Sequence, residues 1–114
     1  MKQIFAVVQR DKLDLVIAAI ENEQVGGVTV FPSQGRGKGE RPKVGDPRGT
    51  GRHTAQFNSL ESVIVVVDDS KVDAVVNAIV NAASTGSKAD GKVFVTPVEQ
   101  TVDIGSKSKG DSAL

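Results

Sequence analysis

The sequence predicts an α+β fold in which a strand–helix–strand unit occurs twice within 114 residues. Residues 7–20 and residues 66–79 both follow the pattern VV-xxx-K-x-D-x-V-xx-AI. A second run rich in Val and ending in Pro follows each copy, at residues 28–32 and 93–97. An internal repeat of this kind indicates a ferredoxin-like split βαβ-βαβ sandwich, in which one antiparallel sheet carries both helices on one face. A long loop separates the second strand from the third.

Each element has its own local signal. Apolar residues at positions i, i+3, i+4 and i+7 predict a helix over residues 12–23, with a similar stripe in the second copy. Ser70 is a suitable N-cap for that second helix, and Gly86 is a suitable C-cap. The predicted strands are residues 3–9, 28–33, 62–67 and 93–98, with a short fifth strand at 101–104.

Length and composition favour one compact domain that spans residues 1–114. The chain has no cysteine, which excludes disulfides and thiolate metal sites and favours a reduced compartment. No apolar run is long enough for a signal peptide or a membrane span. We therefore expect a cytoplasmic protein without direct membrane insertion.

The segment from Gln34 to Asn58 differs in composition from the rest of the chain. It holds six basic residues against two acidic ones, and six glycines and two prolines interrupt it. Such a segment buries too little apolar surface to fold alone, and long loops in compact domains are usually functional or disordered. We predict a flexible, partner-binding loop at 34–58, and a mobile tail at 105–114. The predicted partner-binding residues are Arg36, Arg41, Lys43, Arg48, Arg52 and His53.

The predicted sheet is apolar on both faces. Phe5, Val7, Ile64 and Val66 alternate with the residues that should face the helices. An exposed apolar sheet face normally marks an interface. We expect other copies of the chain to cover it in a homo-oligomer.

Two segments could bind an anion. Gly35 to Gly39 directly follows a strand and offers backbone N–H groups and two cations, Arg36 and Lys38, to a phosphate. A flexible turn explains this glycine-rich run equally well. The second segment, Thr85 to Lys92, also reads as a helix stop followed by a turn at Asp90-Gly91, although Lys92 stands where it could reach a phosphate.

Other classes of function lack the necessary side chains. His53 is the only histidine, and no cluster of carboxylates accompanies it, so neither a metal site nor a catalytic base is expected. The chain has no Trp or Tyr, and its third strand is aliphatic, which argues against RNA binding on the sheet. We therefore predict neither an enzyme nor a nucleic-acid-binding protein. A ferredoxin-like enzyme or a divalent-metal-binding protein is the distant alternative.

The run TGSKADGKVFVTPV at residues 85–98 resembles the C-terminal signature of the PII signal-transduction proteins. The family pattern Gly-Asp-Gly-Lys stands where this chain has Ala89-Asp90-Gly91-Lys92. The resemblance extends over the whole chain except the long loop. Its other matches are Met1-Lys2, Lys12-Leu13-Asp14, Val25 to Val30, the glycines Gly35 and Gly37, and the closing Gly110 to Leu114.

The resemblance implies a homotrimer that binds ATP or ADP in clefts between subunits and contacts a membrane transporter, an enzyme or a regulator through its long loop. It places adenine recognition near Val7, Thr29 and Val66. It places the phosphates near Gly35, Gly37 and Lys38 on one side, and near Ala89, Asp90, Gly91 and Lys92 on the other.

The chain departs from the classical family pattern at the phosphate end. Asp103 and Gly105 stand where classical members have two arginines, Gly39 replaces a glutamine that helps to hold Mg²⁺ and 2-oxoglutarate, and Leu60 replaces a lysine. No tyrosine is available for modification of the loop. The interpretation is a divergent PII-like regulator of nitrogen or carbon metabolism that prefers ADP or AMP to MgATP and needs no cofactor. The alternative is a PII-like inorganic-carbon sensor that also binds bicarbonate.

Overall fold

The computed structural model describes residues 1–37, 43–45, 51–54 and 57–114. The strands are β1 (Lys2–Gln9), β2 (Thr29–Gly35), β3 (Lys43–Gly45), β4 (Arg52–Thr54), β5 (Asn58–Val67) and β6 (Gly91–Pro97). The helices are α1 (Leu13–Asn22) and α2 (Val72–Ala83), and each follows a single 3-10 turn, at Arg10–Lys12 and Asp69–Lys71.

The main sheet is antiparallel and has the strand order β2-β5-β1-β6. This four-stranded sheet and the two helices confirm the predicted ferredoxin-like fold. The core lies between the sheet and the helices, because alternate residues of β1 and β5 and the apolar stripes of α1 and α2 are buried together. Its fully buried members include Ile4, Val65, Ile20 and Ile79.

The sequence repeat is also a repeat of backbone geometry. Lys12 and Lys71 occupy the same position before the two helices, with φ angles of −98° and −101°. The prediction that Ser70 caps α2 is wrong, because the Asp68 carboxylate accepts hydrogen bonds from the Ser70 N–H at 3.1 Å and from its hydroxyl at 2.5 Å. Ser70 is therefore the donor. Gly86 adopts a positive φ of 85°, but it lies three residues beyond the last residue of α2.

The strands β2 and β5 are longer than predicted at the ends that adjoin the loop. Gly35 pairs with Asn58, so the pairing of β2 with β5 continues into polar residues that do not alternate with apolar ones. The segment predicted to be a loop also contains a two-stranded ladder, in which Lys43 pairs with Thr54 and Gly45 pairs with Arg52. The predicted loop residues 38–42, 46–50 and 55–56 lie outside the described residues.

The C-terminal segment contains hydrogen-bonded turns. Val102 forms one bridge to Lys109 in place of the predicted fifth strand. The Asp103 carboxylate accepts hydrogen bonds from the N–H and hydroxyl of Ser106, at 2.8 and 2.7 Å. Among the described residues, no helix is long and apolar enough to cross a membrane.

The sheet face opposite the helices carries an aromatic cluster. The ring of Phe5 lies 6.3 Å, centroid to centroid, from the rings of both Phe31 and Phe94. Phe31 is 40% exposed and Phe94 is 51% exposed. This open face, formed by Phe5, Phe31, Ile64, Val66 and Phe94, is apolar as the sequence predicted.

Candidate anion-binding site

A cavity of about 500 Å³ lies where β2 ends and β5 begins, beside the loop that connects α2 to β6. Its walls combine apolar side chains with backbone and cations from both loop regions. The lining residues are Val7, Gly35, Arg36, Gly37, Asn58, Leu60, Lys88, Ala89, Gly91, Lys92 and Phe94. The volume falls within the range of small-molecule sites in proteins.

Strand pairing positions one wall of the cavity. Lys92 lies directly opposite Val7, and Gly91 lies opposite Val8, so the loop before β6 sits against the end of β1. The side-chain amide of Gln9 donates a hydrogen bond to the Ala89 carbonyl and anchors that loop a second time. These contacts fix the backbone from which Lys88 and Lys92 project.

Asp90 organises the same loop from within. Its carboxylate accepts hydrogen bonds from the Thr85 N–H at 2.7 Å, the Thr85 hydroxyl at 2.5 Å and the Ser87 N–H at 3.2 Å. The hydroxyl of Thr85, followed by its backbone N–H, holds the pKa of the Asp90 carboxyl below its ordinary value. Asp90 therefore shapes the turn. It lines a second cavity of about 400 Å³ between α2 and β6, and is not among the residues that line the first.

The charge of the first cavity is one-sided. Arg36, Lys88 and Lys92 line it, and none of the lining residues that the structure describes is an Asp or a Glu. Val7, Leu60 and Phe94 supply apolar surface beside these cations. A cavity with this composition suits a ligand that has an anionic group at one end and an apolar or aromatic group at the other.

The structure brings together six of the ten predicted nucleotide-binding residues. Val7, Gly35, Gly37, Ala89, Gly91 and Lys92 all line the cavity. The Ala89 N–H donates to the Ser87 hydroxyl at 3.1 Å. Thr29 and Val66 lie farther along the sheet, opposite Ile64 and Gln3, and Lys38 is outside the described residues.

The predicted partner-binding residues separate into two groups. Arg36 lines the cavity, whereas Lys43, Arg52 and His53 belong to the β3–β4 ladder. Arg41 and Arg48 lie outside the described residues.

Sequence reasoning missed four residues that line the cavity. Asn58, Leu60, Lys88 and Phe94 were not among the predicted site residues. The alternation of β6 places Phe94 on the same face as Lys92, so Phe94 could have been found from the pattern. Asn58 has no sequence signal, because it reaches the cavity only through its pairing with Gly35.

Within the part of the chain that the structure describes, no group of three or more His, Asp or Glu side chains could hold a metal ion. The remaining candidate interaction surface is the open face with its three aromatic rings. It meets the cavity at Phe94, which belongs to both.

Comparison with known proteins assigns the architecture to a family. A family model described as "Nitrogen regulatory protein P-II" matches residues 1–108. The chain is 38% identical to a protein of that name from Nostoc punctiforme, 37% to one from Azospirillum brasilense and 35% to one from Synechocystis. Each match spans 114 residues and covers 100% of both chains.

Proposed function

The chain belongs to the nitrogen regulatory protein P-II family, whose members are signalling regulators rather than enzymes, and we propose that it binds an adenine nucleotide in the cation-lined cavity. We also propose that the chain assembles as a homotrimer through the open face and acts on a partner through the segment 34–58. The observation that supports the nucleotide proposal is the cavity itself, which Arg36, Lys88 and Lys92 line beside apolar residues.

Each part of the cavity has a role in this proposal. Lys92 and Lys88 bind the phosphates, since an ammonium group forms a strong charge-assisted hydrogen bond with a phosphate oxygen. Gly37 lets the backbone approach the ligand closely, because it has no Cβ. Val7 and Phe94 contact the base or ribose by apolar packing.

The ligand preference is for ADP or AMP over MgATP. The positions that resemble those of two arginines in classical members hold Asp103 and Gly105, so two cations are absent and one carboxylate is present. Each charge-assisted hydrogen bond contributes roughly 1.5–3 kcal/mol. The absence of the two arginines weakens binding of the γ-phosphate most, because the remaining cations bind the first two phosphates.

The trimer proposal is supported by the open face. Phe31 and Phe94 expose large aromatic surfaces on the side of the sheet opposite α1 and α2. Burial of such surface contributes a hydrophobic transfer free energy of about 25 cal/mol per Å², which offsets the entropy lost on association. Because Phe94 also lines the cavity, a neighbouring subunit on this face would close the open side of the nucleotide site.

Calorimetric titration of the purified protein with AMP, ADP and MgATP tests the nucleotide proposal. We expect ADP to bind, Lys92→Ala to weaken ADP by about tenfold or more, and 2-oxoglutarate to have little effect on MgATP. The control is Lys2→Ala, which removes the same charge at the opposite end of β1. Equal ADP affinity in both variants, or strong binding of MgATP that requires 2-oxoglutarate, would contradict the proposal.

A bicarbonate titration in the presence of each nucleotide examines the inorganic-carbon alternative. Bicarbonate is an anion that the same three cations can attract. A saturable bicarbonate signal that Lys92→Ala abolishes would favour the carbon-sensor function, and its absence would leave the nitrogen-regulatory function.

The partner proposal is tested with a shortened loop. Replacing residues 41–54 with a short glycine–serine linker should leave ADP affinity and the trimer unchanged, because the lining residues that the structure describes are outside this range. Binding to the regulated transporter or enzyme should be lost. Retained, nucleotide-dependent binding of that partner would place the signalling surface elsewhere on the chain.

A further inference from the structure

Arg36 contributes to two environments at once. It is one of the residues that line the cation-lined cavity, together with Lys88 and Lys92. Its guanidinium carbon also lies 6.0 Å from the centroid of the Phe57 ring, within the range of a cation–π contact. Phe57 is 46% exposed, so its side chain does not belong to the buried core.

The two residues occupy matching places just outside two neighbouring strands. Gly35 ends β2, Asn58 begins β5, and these two residues are paired in the sheet. Arg36 directly follows β2 and Phe57 directly precedes β5, so they flank the segment 37–56. Their contact therefore joins the two ends of that segment just beyond the last pair of the main sheet.

The chemistry of arginine allows both contacts to exist together. A guanidinium packs on an aromatic ring with its flat face, and its N–H donors, which lie in the plane, remain available to an anion. Holding a long side chain in one orientation before a ligand arrives lowers the entropy lost on binding. A ring beneath Arg36 can thus orient it toward the cavity.

We propose that Phe57 is a positioning residue that holds Arg36 at the cavity, so that a phosphate-bearing ligand and the Arg36–Phe57 contact stabilise each other. This inference rests on the proposed nucleotide site and adds its route of communication with the long segment. Coupling between two sites is reciprocal. A ligand that strengthens the contact therefore holds the ends of the segment together. If a partner separates Phe57 from Arg36, the affinity for the ligand falls by the same factor by which the ligand lowers the affinity for that partner.

The expected size of the effect follows from the contact. A cation–π contact at an exposed position corresponds to about a two- to fivefold change in an equilibrium constant. Phe57→Leu keeps an apolar side chain and removes the ring, so ADP affinity should fall by this factor. Phe57→Trp keeps a ring with a stronger negative face, so its ADP affinity should equal or exceed that of the parent.

A double-mutant cycle isolates the pair from general effects on folding. Phe57→Leu, Arg36→Gln and the double variant are titrated with ADP and with inorganic tripolyphosphate, and light scattering checks that the assembly is unchanged. We expect Phe57→Leu to weaken both probes in the parent and to have almost no effect in the Arg36→Gln background. An equal loss in both backgrounds, or no loss in either, would overturn the inference.

Fluorescence supplies a readout that a purely structural role for residue 57 would not move. The chain has no Trp or Tyr, so Phe57→Trp introduces a single strong fluorophore at the contact. Its emission should change with ADP concentration along the calorimetric binding curve, and this change should be lost when Arg36→Gln is added. Emission that ignores ADP, or that responds equally without Arg36, would overturn the inference.

The experiments distinguish an error about the Arg36–Phe57 contact from an error about the nucleotide site. Nucleotide binding without coupling between residues 36 and 57 overturns the inference and leaves the proposed site intact. The absence of binding of ADP and of tripolyphosphate to the parent protein overturns both.

Discussion

A Cβ atom placed on Gly91 would lie 1.8 Å from the carbonyl oxygen of Val7. Gly91 also has a φ of +115°, a conformation that L side chains rarely adopt. The loop before β6 therefore rests its backbone directly on β1, at the wall of the cavity. This approach sets the position of Lys92 opposite Val7.

Gly91→Ala should displace the loop or prevent β6 from pairing. The clash is with backbone, which cannot rotate away, and the positive φ alone costs about 1–3 kcal/mol. Denaturant unfolding measures the loss. The matched control is Gly86→Ala, because Gly86 has a φ of +85° but, apart from its chain neighbours, no atom of the described residues lies within 4 Å of its added Cβ. A stability loss for Gly91→Ala no larger than that of the control would contradict the close approach.

Asp90→Asn should weaken ADP binding while the sheet and helices stay folded. The substitution disrupts a carboxylate that accepts from two N–H groups and one hydroxyl, and these bonds shape the turn that carries Lys88 and Lys92. Calorimetry measures the affinity and circular dichroism checks the fold. Asp68→Asn is the control, since it removes a similar turn-forming carboxylate at the other end of β5 and should not weaken ADP. Unchanged ADP affinity in Asp90→Asn would show that the turn does not position the cations.

Stability should fall on acidification below about pH 4. Hydrogen bonds lower the pKa of Asp68, Asp90 and Asp103, chiefly from the Ser70 hydroxyl, the Thr85 hydroxyl and the Ser106 N–H, respectively. A depressed folded-state pKa gives stability that is fully present above the unfolded pKa of about 3.9 and is lost as the pH falls through the folded value. Denaturation midpoints between pH 6 and pH 2.5 should show this decline.

The loss of stability on acidification should be smaller in Asp68→Asn than in the parent, because the variant has one fewer carboxylate to protonate. Its stability at pH 6 should be lower than that of the parent, and the two proteins should converge as the pH falls. Parallel curves for the parent and the variant would contradict the assigned role of Asp68.

Phe31→Asp should dissociate the proposed homotrimer. In the assembly the substitution buries an unpaired carboxylate, which is far more costly than leaving it in water. Light scattering at micromolar concentration measures the mass, and Val66→Asp on the same face should behave alike. Leu15→Asp is the control, because Leu15 is 55% exposed on α1, away from the open face. A monomeric parent, or equal masses for all variants, would contradict the assembly.

The repeat was sufficient to predict the architecture, because its two copies have the same spacing of apolar residues. Val16 and Ile20 recur as Val75 and Ile79, and all four are buried in one core. The limits of β5 could not be predicted, since Asn58 and Ser59 are polar and join the strand only through pairing with β2. Likewise, Ser70 and Asp68 are both good capping residues, and only the three-dimensional turn determines which one accepts.

The candidate site was partly predictable for a related reason. The glycines at 35, 37 and 91 and the lysine at 92 are visible as a motif. Leu60 and Phe94 are ordinary strand residues, and they reach the cavity only because of the register between strands. The contact between Arg36 and Phe57 spans a segment of twenty residues that carries no signal for their proximity.

A crystal structure of the protein grown with ADP is the most direct test of the proposed nucleotide site. The account predicts ADP in the cavity, with its phosphates within hydrogen-bond distance of Lys92 and its base or ribose against Val7 and Phe94. It also predicts a neighbouring subunit on the open face that closes the site. ADP bound elsewhere on the chain, or an empty cavity at saturating ADP, would contradict it.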